Sequence, residues 1–436
     1  MKSQLLAAGA AVALAVSSAP ATAEHFVPHL TYRTGPFAAN GTIVANGFYD
    51  YMSMLNERDG GVGGVKVRVE ECETGYNAQK GVECYESTKD KGALVSLPNS
   101  TGITLQLLQK APIDKIPLLS MGYGLSAAAV GEKFPWAFNF PTTYWGQMSS
   151  ILSFIAKQEG GSNLDALKGK KVGLIYLDVG YGREPIPLME SMAAKHGFEV
   201  LKVPVGVKEM QNQSSHWLTV RKEKPDWMIM WGWGAMNSTA VKAAMKIRFP
   251  MDRFIGNWWS SSYVDVKSAG MGAKGYRGAT FSANGTDFPA IQDVLKYAVD
   301  AGKSQTKDRT SVGNVLYNRG MINAVVVAEV IGIAQKMTGK KNITGDDMRK
   351  ALENVDMSEA RLAELGLSGF MVPMKSTCND HAGSHPVIMT QWDGKEWTRV
   401  EGGITPVMTD AVRPLLEKAA TKYISDKPGW TTQSCG

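Results

Sequence analysis

The sequence predicts an α/β protein of two lobes, each built on a parallel sheet. Three observations carry this prediction. At 436 residues the chain exceeds one ordinary domain. From Gly169 onward, short apolar runs alternate with amphipathic stretches of about 10 to 15 residues, the pattern of right-handed βαβ units. The half before Gly169 repeats that pattern, so two βα halves with separate sheets are expected.

In the N-terminal half, "VPHLTYRTG" leads into a helix whose apolar positions Val44, Phe48, Tyr51 and Leu55 share one face. "GGVGGVKVRVEE" is a turn followed by an alternating strand, and a helix follows through Ala78–Lys89. "GALVSLP" is a strand, "STGITLQLLQKA" a helix and "KIPLLSMGYG" a strand. Beyond Gly169, "KKVGLIYLD" is a strand and "GREPIPLMESMAAKHG" a helix closed by Gly197. "FEVLKVPV", "PDWMIMWG" and "RFIGNWW" are strands, separated by helical "QNQSSHWLTVRKEK" and "AMNSTAVKAAMKIRF". Near the end, "VIMTQWDGKEWTRV" is a hairpin with Asp393-Gly394 as left-handed turn residues, and helical "AVRPLLEKAATKYI" follows.

The first 23 residues have the form of an export signal. Lys2 is the one charge before Glu24, Leu5–Val16 is an apolar and small run, and Ala21-Thr22-Ala23 is an A-x-A site, so cleavage is expected after Ala23. A run of 12 is too short to span a bilayer, and no later segment reaches about 18 uninterrupted apolar residues. Taking 23 from 436 leaves a mature chain of 413 residues, and losing Lys2 lowers the formal charge from +6 to +5. That mild charge has no Lys/Arg block behind it, so nucleic acid is not an expected partner.

Four cysteines in an exported chain favour disulfides over metal. Proximity suggests Cys72–Cys84 and, by elimination, Cys378–Cys435, although connectivity does not follow from sequence alone. "CNDHAGSH" also brings Cys378, His381 and His385 close together as a metal alternative; a disulfide cysteine in a polar loop is the preferred reading.

The glycine clusters do not make cofactor sites. "GGVGGV" precedes a strand where a dinucleotide fingerprint must follow one, and "GLSAA" lacks the second glycine of a nucleophile elbow. No Walker loop, HExxH or CxxC occurs, so no cofactor, metal or catalytic constellation is expected, and an exported enzyme has no support. What needs explaining is "MIMWGWGAMN" and "FIGNWWSSSY", which place Trp231, Trp233, Trp258 and Trp259 at strand ends.

Taken together, "RTGPFAANG", "NERDGGVGGVKVRVEECETG", "ALVSLPNSTGITL", "IPLLSMGYG", "GLIYLDVGYGREPI" and "FIGNWW" resemble the periplasmic solute-binding proteins of ABC transporters, specifically the type I, leucine/isoleucine/valine-binding branch. The resemblance runs from about His29 to beyond Phe370. It implies two Rossmann-like lobes joined by three crossover strands, near Phe140–Thr143, Thr280–Gly285 and Phe370–Met374. Lobe 1 would comprise 24–141 and 284–372, and lobe 2 would comprise 142–283 and 373–436. It also implies ligand in the cleft between the lobes, hinge closure, a periplasmic location and ABC permease subunits as partners of a monomer.

Carried onto this chain, the resemblance implies that Ser100 and Thr101 are carboxylate-binding hydroxyls beside helix amides, though Ser100 could equally be an ordinary N-cap. It places Gly122, Tyr123 and Gly124 against the ligand, makes Tyr181 a lid, and puts Trp233 at an aromatic position. Trp258 stands where the amino-acid binders hold a glutamate that pairs with the ligand's ammonium, and an indole cannot neutralise that charge. An aromatic surface of Tyr123, Tyr144, Trp145, Tyr181, Trp233 and Trp258, with Trp259 undecided, suits a flat ring. Arg33, Arg183 and Arg319 are candidate carboxylate partners, Arg319 being the one put forward. Trp231 is expected in the core or between the lobes.

The leading expectation is therefore a receptor for a small aromatic or apolar carboxylate. Alternatives are a branched-chain, other amino-acid or amide binder in which another acid has replaced the glutamate, and a sensor that presents its ligand to a signalling partner.

Overall fold

The computed structural model describes residues 24–383 and 385–436, and the export segment expected over 1–23 lies outside the described residues. The first sheet opens with β1 (His25–Thr31), buried along its length and parallel to β2 (Val67–Glu73). The segment predicted from "GALVSLP" lies on the other side of β1 through bridges Phe26–Ala93 and His29–Leu97, and bridges onward from Ser96 to Leu118. There it meets β3 (Leu118–Met121), which pairs in parallel with β4 (Ala137–Phe140). Pro98 follows at once, and without an N–H it cannot extend the ladder.

The second sheet has seven strands. β5 (Lys171–Leu177), β6 (Glu199–Val205), β7 (Trp227–Trp231), β8 (Phe254–Gly256) and β9 (Arg277–Thr280) are parallel, in the spatial order β6, β5, β7, β8, β9. Every residue of β7 is buried, as a strand covered on both faces requires. A two-residue pair, β10 (Asp356–Met357) with β11 (Met374–Lys375), precedes the closing hairpin. That hairpin, β12 (Val387–Trp392) and β13 (Trp397–Thr405), adds two antiparallel strands beside β9. Its turn uses one left-handed residue where two are expected. Gly394 takes φ +110°, while Asp393 acts through its side chain, Oδ1 accepting the Lys395 and Glu396 amides at 2.7 and 2.8 Å.

The chain passes between the sheets after β4, after β9 and again beyond Phe370. The second and third passages lie side by side, with an antiparallel bridge between Ser282 and Met371. Helix Ala38–Arg58 covers the first sheet and packs along Val315–Thr338. The two helices meet backbone to backbone. A Cβ on Gly47 would lie 2.0 Å from the Tyr317 carbonyl oxygen, and one on Gly320 would lie 1.9 Å from that of Val44. Val315–Thr338 is apolar and long enough to cross a membrane by composition, but 67% of that stretch is buried inside the fold, so it is a core helix.

Cys72 pairs with Cys84 and Cys378 with Cys435, the pairing that proximity suggests. Cys378 is thereby unavailable as a thiolate. His381 and His385 instead bond through ring nitrogens to backbone carbonyls of Ala137, Val372 and Pro386.

Candidate functional site

The carboxyl ends of the two sheets face each other, and the loops leaving them enclose a small pocket. From the first sheet come Tyr32 just after β1, Tyr76 after β2, Asn99, Ser100 and Thr101 after the 93–97 segment, and Tyr123 after β3. From the other side come Tyr144 at the start of helix Tyr144–Gln158, Tyr181 after β5, Trp233 after β7 and Trp259 after β8. The pocket holds about 250 Å³ of free volume. Only about 20 Å³ of that is cavity open to a water-sized body, room for little more than one water and far below the roughly 300–1,000 Å³ of ordinary small-molecule sites, so this conformation is closed and a ligand enters only when the two sides part.

Local backbone geometry sets these side chains. Gly122 and Gly124 flank Tyr123 at φ +64° and +96°. A Cβ on Gly122 would come within 3.0 Å of the Trp258 ring, so glycine there lets the loop close onto the indole. The Gly124 amide donates to Thr101 Oγ1 at 3.1 Å, and the Asn99 amide donates to the Tyr123 hydroxyl at 2.8 Å. Ser100 occupies the N-cap position of helix Thr101–Leu107, yet its side chain makes no capping bond and instead meets the Tyr76 phenol. The Tyr181 hydroxyl donates to the Gly232 carbonyl and accepts from Asn257 Nδ2, both at 3.0 Å.

Trp259 is the hub of the aromatic wall. Its ring lies 5.2 Å from Trp233, 4.8 Å from Trp258 and 6.3 Å from Tyr123. Tyr144 packs edge-on against both Tyr181 and Trp231, each at 5.4 Å. Burial pushes the phenols of Tyr32, Tyr144 and Tyr181 far up and that of Tyr76 to about 12, so the wall is uncharged at neutral pH. Among the described residues, no Asp or Glu lines it.

Of the residues named from sequence, Ser100, Thr101, Tyr123, Tyr144, Tyr181 and Trp233 come together on this wall, and Gly122 and Gly124 shape it. Three stand elsewhere. Trp258 lies behind Trp259, fully buried against Phe281 at 4.6 Å, with its indole N–H unpartnered. Trp145 turns away, its indole N–H donating to the Glu184 carbonyl at 2.9 Å. Arg319 sits under the two indoles, 5.1 Å from each ring centroid, rather than on the wall. Burial brings its guanidinium down to about 9. Arg33 is bound to Glu71 and Arg183 to Asp178, each at 2.6 Å. The sequence reading missed Tyr32, Tyr76 and Asn99, and left Trp259 undecided. Their signal was position, since each lies within three residues of a strand end.

One further contact joins the two sides of the cleft. The Glu184 carboxylate accepts the Ser126 amide at 2.7 Å and its hydroxyl at 2.8 Å, and burial raises this carboxyl to about 7.

Residues 25–396 match the family described as "Periplasmic binding protein". Among solved structures, the chain is similar to one described as an ABC transporter permease from the Pseudomonas fluorescens group. The identity is 37%, the TM-score is 0.85, and the match covers 95% of this chain and 99% of that one. It shares its fold with a branched-chain amino acid ABC transporter protein from Thermus thermophilus with bound valine, at 21% identity and TM-score 0.74, covering 90% and 99%. It also shares the fold of an R. palustris solute-binding protein in complex with benzoate, at 15% identity and TM-score 0.66, covering 88% and 98%. No curated protein matches the chain.

Proposed function

The chain belongs to the periplasmic binding protein family, and on that premise we propose that it is the substrate-binding component of an ABC importer, taking a small aromatic or apolar carboxylate from the periplasm to permease subunits. The observation that carries this reading is the wall itself, five tyrosines and two tryptophans with no acid among the described lining residues. An α-amino acid brings an ammonium that needs a buried counter-charge, and this wall offers none. A flat ring gains edge and face contacts at every side. Ser100, Thr101 and Asn99 supply hydroxyl and amide donors at one end.

Capture follows from lobe closure, with 24–141 and 284–372 moving against 142–283 and 373–436. Export follows from cleavage after Ala23. Two structural neighbours carry benzoate and valine, and both ligands have a carboxylate. Only valine adds an ammonium, so the pair defines the choice to be tested.

The test is a tryptophan-fluorescence titration of the mature protein, refolded to remove carried-over solute, with 4-hydroxycinnamate and separately with leucine. Saturable quenching or a spectral shift by the aromatic acid alone is expected. A response to leucine alone overturns the ligand class.

A further inference from the structure

Among the described residues, Arg319 is a buried cation beside the pocket whose charge lacks the usual compensation. It projects from helix Val315–Thr338, which packs on Ala38–Arg58 at the first sheet. The groups it meets, Ser261, Trp258 and Trp259, follow β8 of the second sheet. The guanidinium thus crosses from one lobe to the other. It is 0% exposed, yet its one hydrogen bond is from Nη2 to Ser261 Oγ at 3.1 Å, and Nε and Nη1 have no partner. Among the described residues it forms no ion pair. The acid whose charge it feels most is Asp265. That carboxylate is already occupied by the Ser262 amide and hydroxyl at 2.8 and 2.7 Å and by Asn237 Nδ2 at 3.0 Å.

A buried cation without a paired anion is costly, and cation–π contact with two indoles offsets only part of that cost. The neighbouring groups are of the same kind. The Trp258 indole N–H is buried without a partner, and the Trp259 indole N–H and the Tyr144 hydroxyl are buried with none beyond each other. They add hydrogen-bond donors to an excess of positive charge. Arg319 lies within electrostatic reach of the pocket: the phenols of Tyr181, Tyr144 and Tyr32, all of which line it, bear on its ionisation, and it in turn favours ionisation of Tyr181 against the push of burial. An aromatic wall could in principle hold a quaternary ammonium. Here the guanidinium already lies against Trp259, so a second cation on that ring would be repelled.

We propose that Arg319 determines specificity by its charge: bringing the lobes together strips water from its guanidinium, and a ligand anion in the pocket supplies the missing counter-charge, so a single-ring carboxylate is retained where its neutral isostere is released. This inference rests on the binding role proposed above and adds the determinant of the ligand's charge. The guanidinium lies 5.1 Å from the Trp259 ring centroid, so a ligand anion across that ring, about 9 Å away in a medium of effective dielectric about 20, gains on the order of 20-fold in affinity.

The experiment compares benzoate with benzamide by calorimetry on the mature wild type, Arg319→Gln and Arg319→Lys, with small-angle scattering of each protein free of ligand. The expected result is a preference for benzoate of roughly 10- to 100-fold in the wild type, largely kept in Arg319→Lys and reduced to near unity in Arg319→Gln. The ligand-free wild type should also be more open, with a larger radius of gyration, than Arg319→Gln. Arg319→Met replaces Arg319→Gln if circular dichroism shows the latter unfolded. An unchanged benzoate preference in the neutral variant overturns the proposal. If neither probe binds the wild type, the aromatic-carboxylate reading fails, and the scattering still decides for Arg319: equal radii of gyration overturn it, and a compacted neutral variant supports it.

Discussion

Replacing Glu184 with Gln should remove a pH dependence that the wild type carries near neutrality. The Glu184 carboxyl faces Ser126, which donates twice, and lies within electrostatic reach of the Tyr144 phenol. Its neighbour Arg183 is occupied by Asp178. Burial raises the group from 4.5 to about 7. An acid with a raised native value favours the native state while protonated. Its contribution is therefore complete below the unfolded value and is lost as pH rises through about 7. Integrating between those two values from pH 5 to pH 8 gives a loss of about 2.5 kcal/mol.

Two buried histidines act in the opposite sense. His29 and His385 are lowered from 6.5 to about 4, so their contribution is present above 6.5 and is lost as pH falls through 4. The raw stability curve mixes these effects, and only the difference between wild type and Glu184→Gln isolates the carboxyl. Urea denaturation at half-unit steps from pH 5 to pH 8 measures that difference. The variant should gain about 2–3 kcal/mol on the wild type between the two ends. Parallel curves would refute the reasoning, because Glu184 would then titrate as an ordinary exposed acid.

Three further outcomes are expected. Cys435→Ser opens a bridge with a sequence separation of 57 residues against 12 for Cys84→Ser, so chain entropy assigns losses of roughly 4 and 3 kcal/mol, and a smaller loss for Cys435→Ser in denaturant melts contradicts the ordering. Gly320→Ala drives a methyl into the Val44 carbonyl oxygen at 1.9 Å, which neither helix backbone can yield cheaply, and should cost about 1–3 kcal/mol or more, whereas an unchanged midpoint would mean the helices are not in close contact. Trp259→Ala removes three ring pairs within the wall, which lowers stability, and takes from 4-hydroxycinnamate one ring contact of roughly 0.5–1.5 kcal/mol, so its affinity should fall about 2- to 10-fold with folding retained; an unaltered dissociation constant would place the ligand ring elsewhere.

The fold is legible because its signal repeats. A strand covered on both faces must be apolar along its length, so "WMIMW" shows itself, and Gly197, at φ +74°, marks the end of its helix from sequence alone. The pocket follows a weaker rule. Tyr32, Tyr76 and Asn99 are ordinary residues whose one distinction is lying just beyond a strand end, and tryptophans draw the eye first. Which of two adjacent indoles faces the cleft is not periodic information. A single 3-10 turn over Trp258–Ser260 puts Trp259 on the wall and sends Trp258 back against Gly122 and Phe281. Arg319 sits at the far limit of what sequence can tell. A charge four residues into the chain's most apolar long helix is visible as an anomaly. That its neighbours are indoles and a hydroxyl rather than a carboxylate emerges only when the second lobe is laid against it. The residue most informative about ligand charge is thus conspicuous in the sequence, while its meaning depends on a contact made across the cleft.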